Sequence, residues 1–396
     1  MSTAPTNEVR ILRSREELEP LVPAWIDATI HPQAHPDVFF RLCDADDVIL
    51  RPHVPVELNP DGSIRGMMVS RLEYSRFVRA GRYLPLPQPM AKTVIVPFDG
   101  IIGSHAAESA PRLLAALMKT MDDGEADVVD LPFMPMEHPV RAALLAMPDR
   151  RFQSATANEN AHWHIDVETG FDEQLKLLGR STRGTLRNNL NRFQRDFKDR
   201  MEIRTYDSSS DLDELMTLSE IVATKSYHRG LDVGFSTSVR ERAVYEGAHA
   251  MGALWARVML IDGKPAAFIH AFKWKKRLFG TYMGFDREFT KLPLGTIILF
   301  ESLRTMCGSG EVDTWDFGPG EAEYKSRICT RKDDEEQRTL FAKNLRALRI
   351  KATTTTFSRF ENLLKFILRK LDLEVRLKTA LRNRVRKRTN SGPPES

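Results

Sequence analysis

The chain has 396 residues, of which 42% are apolar and 28% charged, with three cysteines and a formal net charge of +4. This length exceeds the roughly 100–200 residues of one ordinary domain and predicts two domains. The cysteines form no CxxC pair, which excludes a disulfide framework, and no apolar run approaches the ~18 residues that a bilayer-spanning helix needs. Together with an N-terminus that lacks a signal-peptide pattern, these features predict a cytoplasmic protein.

Two parts of the sequence repeat one another. Their shared features are an Asp-Gly turn before a strand-like apolar run, a Phe-Asp turn, and a helix end that leads into a strand. These features occur in DGSIRGMMVSRL (61–72), PFDG (97–100) and KTMDDGEADVVDLPF (119–133), and again in DGKPAAFIHAFK (262–273), GFDR (284–287) and RTMCGSGEVDTWDFG (304–318). We interpret the repeat as an internal duplication of a hairpin, a crossover helix and a strand. Such units predict an α/β (α+β) fold with mixed sheets and helices on both faces.

Apolar periodicity and turn residues predict the elements around these repeats. Helices are predicted at 110–121, 171–200, 211–229 and 295–306, and a strand at 161–167. A polar, turn-rich stretch near 150–160 indicates a linker. The resulting division is an N-terminal domain at 1–155, a second domain at 156–340 and a helical tail at 341–396.

The tail is strongly basic. Residues 341–396 hold fifteen Lys and Arg against four Asp and Glu. The pattern is that of a basic amphipathic helix with a disordered end at SGPPES. Such a helix suits contact with an anionic membrane surface, tRNA or an acidic carrier protein, or it packs on the core with a solvated face. Contact with a membrane would place the protein peripherally at the inner membrane surface.

The two copies differ after the strand that ends each repeat. The first continues as DLPFMPMEHP, in which prolines block a close backbone approach, and the second as DFGPGEAEYK. Gly318 and Gly320 would let a ligand come close to the backbone, while Tyr324 and Lys325 add a phenol and an ammonium group. The second copy is therefore the predicted active site, and the first is predicted to be non-catalytic.

The helix predicted at 295–306 follows the segment KLPLGT. Its first turn has free N–H groups, Gly295 and Thr296 leave its entrance open, and Lys291 adds positive charge. This combination binds phosphate. In an alternative interpretation, Gly295 and Thr296 only cap the helix. The first copy has the acidic Glu108 at the corresponding place, which would repel phosphate.

Two histidines alternate on the strand predicted at 161–167. His162, His164 and Asp166 would share one face of this strand. Two interpretations are open, metal ligands or hydrogen-bonded strand histidines. Because no third ligand cluster is evident in the sequence, no metal is expected.

Four segments together resemble the GNAT-like acyltransferases of the CelD branch, which are related to the FemABX peptidyl transferases. They are STRGTLRNNLNRFQRDF, IDGKPAAFIHAF, KLPLGTIILFESL and DFGPGEAEYKSR, within about residues 160–330. The resemblance implies tandem GNAT-like (acyl-CoA N-acyltransferase) domains, in agreement with the internal repeat. It further implies transfer of an acyl group from a thioester, acetyl-CoA or a longer acyl-CoA, to an amine.

The resemblance also implies roles for particular residues. In such folds the pantetheine of coenzyme A lies between two parallel strands, here within 266–285 and 312–317, and its pyrophosphate lies at the following helix. The implied cofactor-binding residues are Lys291, Gly295, Thr296, Gly318 and Gly320. Tyr324 matches the tyrosine that protonates the leaving thiolate. The implied substrate-binding residues are Arg180, Arg183 and Arg187 of the arginine-rich segment, with Lys325 and Arg327.

One departure from the family pattern keeps two alternatives open. KLPLGT has one glycine, whereas the usual pyrophosphate loop is Q/R-x-x-G-x-G/A. The first alternative is FemABX-like aminoacyl transfer from tRNA, for which the basic tail would be a natural accessory. The second is a non-catalytic accessory protein of polysaccharide or envelope synthesis.

Overall fold

A computed structural model describes residues 8–77, 89–147, 158–226, 234–289 and 293–370. The strands are β1 (Arg10–Leu12), β2 (Ile49–Pro52), β3 (Val54–Leu58), β4 (Ile64–Met68), β5 (Arg71–Arg76), β6 (Met90–Ile95), β7 (Ile101–Ile102), β8 (Val128–Pro135), β9 (Asn158–Asp166), β10 (Met201–Asp207), β11 (Leu254–Ile261), β12 (Lys264–Trp274), β13 (Arg277–Phe285), β14 (Thr314–Pro319) and β15 (Arg331–Phe341). The helices are α1 (Arg15–Leu18), α2 (Val22–Ala28), α3 (Pro36–Ala45), α4 (Ala106–Asp122), α5 (Pro139–Ala146), α6 (Phe171–Lys176), α7 (Arg180–Phe197), α8 (Leu212–Lys225), α9 (Val239–Ala250), α10 (Leu294–Met306), α11 (Glu323–Ile328) and α12 (Leu345–Lys370).

The duplicated unit is present in both halves of the chain. β6, α4 and β8 form a strand–helix–strand unit in the first half, and β13, α10 and β14 form its equivalent in the second. The two strands of each unit pair in parallel, which requires a crossover that the helix supplies. The predicted α/β architecture of two repeated halves is confirmed, as are the helices predicted at 110–121 and 295–306.

The hairpin before each unit has a different form in the two halves. In the second half, β11 and β12 are long strands joined by the predicted Asp-Gly turn. In the first half, the corresponding strands are interrupted, so that β3 and β4 pair in a separate four-stranded sheet with β1 and β7. Pro52 and Pro55 flank the first interruption, where their missing N–H groups prevent a continuous ladder.

The strand that follows each of the two repeated strand–helix–strand units pairs with the last strand of the other unit. β9, which follows the first half, pairs antiparallel with β14, and β15, which follows the second half, pairs antiparallel with β8. β9 and β15 also pair with each other. The result is one eleven-stranded sheet in the order β10-β11-β12-β13-β14-β9-β15-β8-β6-β5-β2. The predicted domain boundary at 155/156 lies outside the described residues, and β15 crosses the one at 340/341.

Helices cover both faces of the sheet in the second half. α7 and α10 pack on one face, in a core with Ile269, Leu278 and Trp315. α8 and α9 pack on the other, around Phe268 and Phe272. The single helix predicted at 171–200 is wrong: it is divided into α6 and α7, because Gly179 takes an extended conformation (φ −53°, ψ 144°) before α7.

The tail is helical as predicted, at least as far as Lys370. Ala347 and Ile350 on α12 are buried against the core of the first half, whereas Leu345 is 76% exposed. Residues 371–396 lie outside the described residues, as does most of the linker predicted near 150–160, whereas residues 158–160 of that stretch belong to β9. Within the described ranges, no helix is both long enough and apolar enough to cross a membrane.

The strand exchange predicts that the two halves unfold together. Leu340 on β15 is fully buried in the core of the first half, so Leu340→Ala should lower the free energy of unfolding by about 2–5 kcal/mol. Urea unfolding should show the same shift by far-UV circular dichroism and by tryptophan fluorescence, since four of the five tryptophans lie at or after β9.

The matched control is Leu345→Ala, which removes an exposed leucine and should change the free energy by less than about 0.5 kcal/mol. If Leu340→Ala shifted the transition seen by circular dichroism but left the transition seen by tryptophan fluorescence unchanged, the halves would not unfold together.

Candidate active site

The two parallel strands of the second half separate toward their carboxyl ends. β13 and β14 are paired only from Arg277–Phe279 to Thr314–Asp316, and both strands continue beyond this point. A cavity of about 60 Å³ lies where they part. Its lining includes Ile269, His270, Gly280, Thr281, Tyr282, Met283, Trp315, Phe317 and Tyr324. Among the predicted site residues, Tyr324 lines this cavity.

α11 places Tyr324 and Lys325 beside this cavity in different environments. The Tyr324 side chain lines the cavity and is 39% exposed. Lys325 is buried, and its Nζ donates to the carbonyl oxygens of Phe317 at 2.8 Å, Gly318 at 3.1 Å and Pro319 at 3.4 Å. Burial lowers the pKa of this ammonium group. Lys325 thus holds the end of β14. The sequence instead predicts that its ammonium group binds a substrate.

The two glycines of the DFGPG segment form a bulge in β14. The register with β9 shifts between Asp316 and Pro319, and Gly318 (φ 67°) and Gly320 (φ 109°) take left-handed conformations. The Gly318 N–H donates to Asp316 Oδ1 at 2.7 Å, and the Gly320 N–H donates to the Ala161 oxygen at 2.8 Å. Both amides are therefore engaged within the protein, and the glycines serve the shape of the strand end. Their contact with a cofactor stays a prediction.

A buried polar network forms one wall of the cavity. His270 Nε2 lies 2.8 Å from Ser219 Oγ, and its Nδ1 lies 2.8 Å from the Tyr245 hydroxyl. Burial lowers the pKa of His270 to about 3, so the ring is neutral. Beside it, the Tyr282 hydroxyl donates to Glu241 Oε2 at 2.8 Å. Burial raises the pKa of both Glu241 and Tyr282.

Sequence reasoning missed this network. Glu241 lies near the start of α9 and Tyr282 on β13, 41 residues apart, and no motif joins them. The available signal was weak: the alternation of β13 places Tyr282 on the same face as its cross-strand partner His270.

A cluster of charged side chains surrounds Asp316 on β14. Asp316 Oδ1 is 2.5 Å from His162 Nε2, and His162 Nδ1 is 2.6 Å from Glu335 Oε1. His164 stacks on His162 with ring centroids 4.4 Å apart. Asp316 is the third member of the cluster with His162 and His164. It lies 154 residues beyond His162, so the sequence did not reveal this contact. The two histidines are thus hydrogen-bonded strand residues in the arrangement described.

The start of α10 packs against the end of β13. An added Cβ at Gly295 would lie 3.3 Å from Phe285 Cδ1, so a glycine lets the helix pack closely on β13. The first bond of the helix runs from the Ile297 N–H to the Pro293 oxygen, which leaves the preceding amides of the turn, including those of Gly295 and Thr296, without an i−4 partner in the helix. Lys291 lies outside the described residues. Phosphate binding at this turn stays a prediction.

The remaining predicted residues lie away from the cavity lining. Arg180, Arg183 and Arg187 are on the first turns of α7; Arg183 Nη1 is 3.5 Å from the Lys176 oxygen and Arg187 Nη2 is 3.3 Å from Asp172 Oδ1. Arg327 is exposed in the last turn of α11. Binding of a substrate by these arginines stays a prediction.

The first half closes at the corresponding place. β6 ends at Ile95, the Val96 N–H still bonds to the Asp130 oxygen, and Pro97 follows. At the start of α4, Glu108 is paired with Arg65. The first half thus has an anionic side chain where the second has Thr296 and lacks the long strand extension that opens the gap. These contrasts support the predicted asymmetry of the two copies.

Comparisons with known proteins agree with this architecture. Residues 180–326 match the model of a family described as an acetyltransferase (GNAT) domain. Among solved structures, a conserved protein of unknown function from Bacteroides thetaiotaomicron VPI-5482 is 12% identical with a TM-score of 0.51, over 84% of this chain and 100% of that one. A comparison with curated proteins finds no match.

Two further solved structures resemble the chain at slightly lower scores. A tandem GNAT protein from the clavulanic acid biosynthesis pathway is 13% identical with a TM-score of 0.49, over 85% of this chain and 99% of that one. FemX is 11% identical with a TM-score of 0.49, over 79% and 96%. Residues 180–326 are therefore similar to a GNAT acetyltransferase domain, and the fold is a mixed α/β fold of two repeated halves.

Replacement by alanine should have opposite effects on stability at Gly318, in the bulge of β14, and at Gly184, within α7. Gly318→Ala places a Cβ on a left-handed residue and should lower the free energy of unfolding by about 1–2 kcal/mol, although no atom lies within 4 Å of that Cβ. Gly184→Ala, in the exposed interior of α7, should instead raise it by up to about 1 kcal/mol. Urea unfolding of both variants measures the difference. Equal effects would mean that Gly318 does not adopt the described conformation.

Proposed function

We propose that the second half is an N-acyltransferase that moves an acyl group from a thioester donor to an amine. The observation that carries this proposal is the cavity between the diverging strands β13 and β14, inside the segment that matches a GNAT acetyltransferase domain. Membership of the CelD branch is part of the same proposal and rests on the four sequence segments given above.

The donor that fits best is acetyl-CoA or another short acyl-CoA. The amides in the first turn of α10 would provide a place for the pyrophosphate, beside the end of β13, where the pantetheine arm would enter. The cavity is small, about 60 Å³, and its walls include the bulky Trp315 and Phe317. A short acyl group suits this space better than a long chain does.

The side chains around the cavity suit the two proton transfers of the reaction. An N–C bond forms to the thioester carbonyl as the C–S bond breaks. The amine proton passes through the Tyr282 hydroxyl to Glu241, whose pKa is raised by burial and which is therefore a stronger base than an exposed carboxylate. Tyr324, on α11, gives its proton to the leaving thiolate and regains one from solvent.

We expect Tyr324→Phe to lower kcat by about 10²-fold, because it removes the acid while keeping the ring. The dissociation constant of acetyl-CoA should stay nearly unchanged. Steady-state assays and isothermal titration measure the two quantities. The matched control is Tyr74→Phe, an exposed tyrosine on β5 of the first half. An unchanged kcat in Tyr324→Phe would sink the assignment of the acid.

Glu241→Gln should also lower kcat by about 10²-fold, because the amide cannot accept the proton. In the unmodified chain, kcat should fall as the pH drops through a pKa above the ordinary range of a glutamate, and this acid limb should be absent from the variant. Glu311→Gln, an exposed residue paired with Lys273, is the control. Retention of the acid limb in Glu241→Gln would assign the base elsewhere.

The single glycine in KLPLGT favours one alternative, aminoacyl transfer from tRNA. Isothermal titration with acetyl-CoA, palmitoyl-CoA and bulk tRNA should separate the donors, and we expect heat with acetyl-CoA. Titrations of tRNA should be repeated with a chain that lacks residues 371–396, because the basic tail alone attracts nucleic acid. Binding of tRNA that survives this deletion, without binding of either CoA ester, would favour the alternative. No heat with any donor would favour a non-catalytic accessory protein.

A further inference from the structure

Three neighbouring strands of the large sheet carry ionisable side chains on one face. His162 and His164 lie on β9, Asp316 on β14 and Glu335 on β15. β9 lies between β14 and β15, and alternate residues of a strand share a face, so these four groups meet where the halves exchange strands. Each of the two carboxylates is less than a tenth exposed.

We propose that His162, held as an imidazolium between Asp316 and Glu335, is a positioning residue that locks the bulge of β14 and thereby shapes the donor cavity. The kinetic part of this inference rests on the proposed function. The structural part, a cationic clamp between exchanged strands, does not.

The distances place a carboxylate oxygen beside each ring nitrogen of His162. Nε2 lies 2.5 Å from Asp316 Oδ1, and Nδ1 lies 2.6 Å from Glu335 Oε1. A neutral imidazole has one N–H, so a ring lone pair would face one of the two carboxylates. Burial by itself lowers the pKa of His162, but hydrogen bonds and attraction to the two carboxylates raise it to about 9.

The surrounding groups leave the positive charge on His162. Burial lowers the pKa of His164, and it lowers the pKa of His31, from the first half, to about 4. Burial, with Asp316 nearby, raises the pKa of Asp99. The other charged groups acting on these residues are Arg277 on β13 and Arg331 and Asp333 on β15. His162 is therefore the histidine that neutralises the carboxylates of this cluster.

A metal ion is the competing interpretation of the cluster. His162, His164 and Asp316 offer ligand atoms within 4.8 Å of one another. Two ligands of one tetrahedral zinc ion stand about 3.4 Å apart, given metal–ligand bonds of about 2.1 Å. The 2.5 Å between His162 and Asp316 is the separation of a hydrogen bond, and the two rings are parallel within 6° instead of converging. The geometry therefore favours a shared proton.

Asp316 connects this clamp to the cavity. The oxygen that accepts from His162 also accepts from the Gly318 N–H at 2.7 Å, which fixes the first residue of the bulge. Lys325 holds the carbonyls of the same segment. Phe317, within the bulge, lines the cavity. Loss of His162 should loosen this segment and weaken donor binding, without removing an acid or a base.

Hydrogen exchange measured by mass spectrometry tests the clamp independently of activity. In His162→Gln, amide exchange in residues 316–320 should rise at least tenfold, because Asp316, the acceptor of the Gly318 amide, is no longer held in place by His162. The matched control, His164→Gln, changes the stacked neighbour on the same face and should leave this exchange within about twofold of the parent chain. Unchanged exchange in His162→Gln would overturn the proposal. Glu335→Gln is the second variant if the first does not fold, with the same expectation.

Kinetics and pH separate positioning from a general loss of structure. The KM for acetyl-CoA should rise about tenfold in His162→Gln at pH 7, with kcat changed less than threefold. In the parent chain the KM should be flat up to about pH 8 and rise through about pH 9, as the ring loses its second proton; in the variant it should not depend on pH. A fall in kcat alone would overturn the positioning role.

Stability gives the corresponding check if no donor is turned over. The folded-state pKa of His162 lies above the ordinary value of 6.5, so its contribution is fully present below about pH 6.5 and is lost as the pH rises through about 9. The unfolding midpoint of the parent chain should fall across this window more than that of His162→Gln. Metal analysis gives a further check. If the parent chain bound one metal ion and His162→Gln bound none, His162 would be a metal ligand and the proposal would be overturned.

Discussion

The exchange of β9 and β15 is the constraint on which the rest of the structure depends. β9 follows the first strand–helix–strand unit but pairs with β14 of the second, β15 follows the second unit but pairs with β8 of the first, and the two strands pair with each other. Neither half can therefore complete its sheet alone, since β8 and β14 would each present an unpaired edge. The exchange also brings His162, Asp316 and Glu335 together. The contacts between the exchanged strands therefore include Asp316, near the end of β14 that borders the cavity.

The two halves show how one pattern gives two local outcomes. Both have the parallel pair and the crossover helix, but only the second extends both strands beyond their paired region. Prolines account for much of the difference: Pro52 and Pro55 interrupt the hairpin of the first half, and Pro97 follows the end of β6. In the second half, glycines at 318 and 320 bend β14 instead of stopping it. A gap between strands is thus present in the half that carries Tyr324.

Local features of the fold could be predicted from the sequence, whereas the pairing of distant strands could not. The Asp-Gly turns, the helices at α4 and α10 and the strand β9 follow from turn chemistry and periodicity over short windows. β9 and β14 are about 150 residues apart in the sequence. The alternation of apolar and polar residues along a strand is the same whichever strand it pairs with, so it cannot identify this partner. The site divides in the same way. Tyr324 follows from a local motif, but Glu241 and Tyr282 meet only after α9 packs on the sheet, and the role of Lys325 depends on carbonyls that no sequence pattern reveals.

The distribution of charge around the cavity gives the first half a physical role in the second. On one wall, the partly buried carboxylate of Glu241 accepts a hydrogen bond from the phenol of Tyr282, and desolvation raises its pKa. Below β14, Asp316 is paired with a cation, which keeps its pKa low despite its burial, and it is therefore unsuited to exchange protons with a substrate. The pKa values of these two carboxylates thus shift in opposite directions, because desolvation is the largest effect on Glu241, whereas hydrogen bonds and nearby histidines outweigh it at Asp316. His162, which lowers the pKa of Asp316, lies on the exchanged strand β9, so the strand exchange helps to set the charge of a residue next to the cavity-lining Phe317.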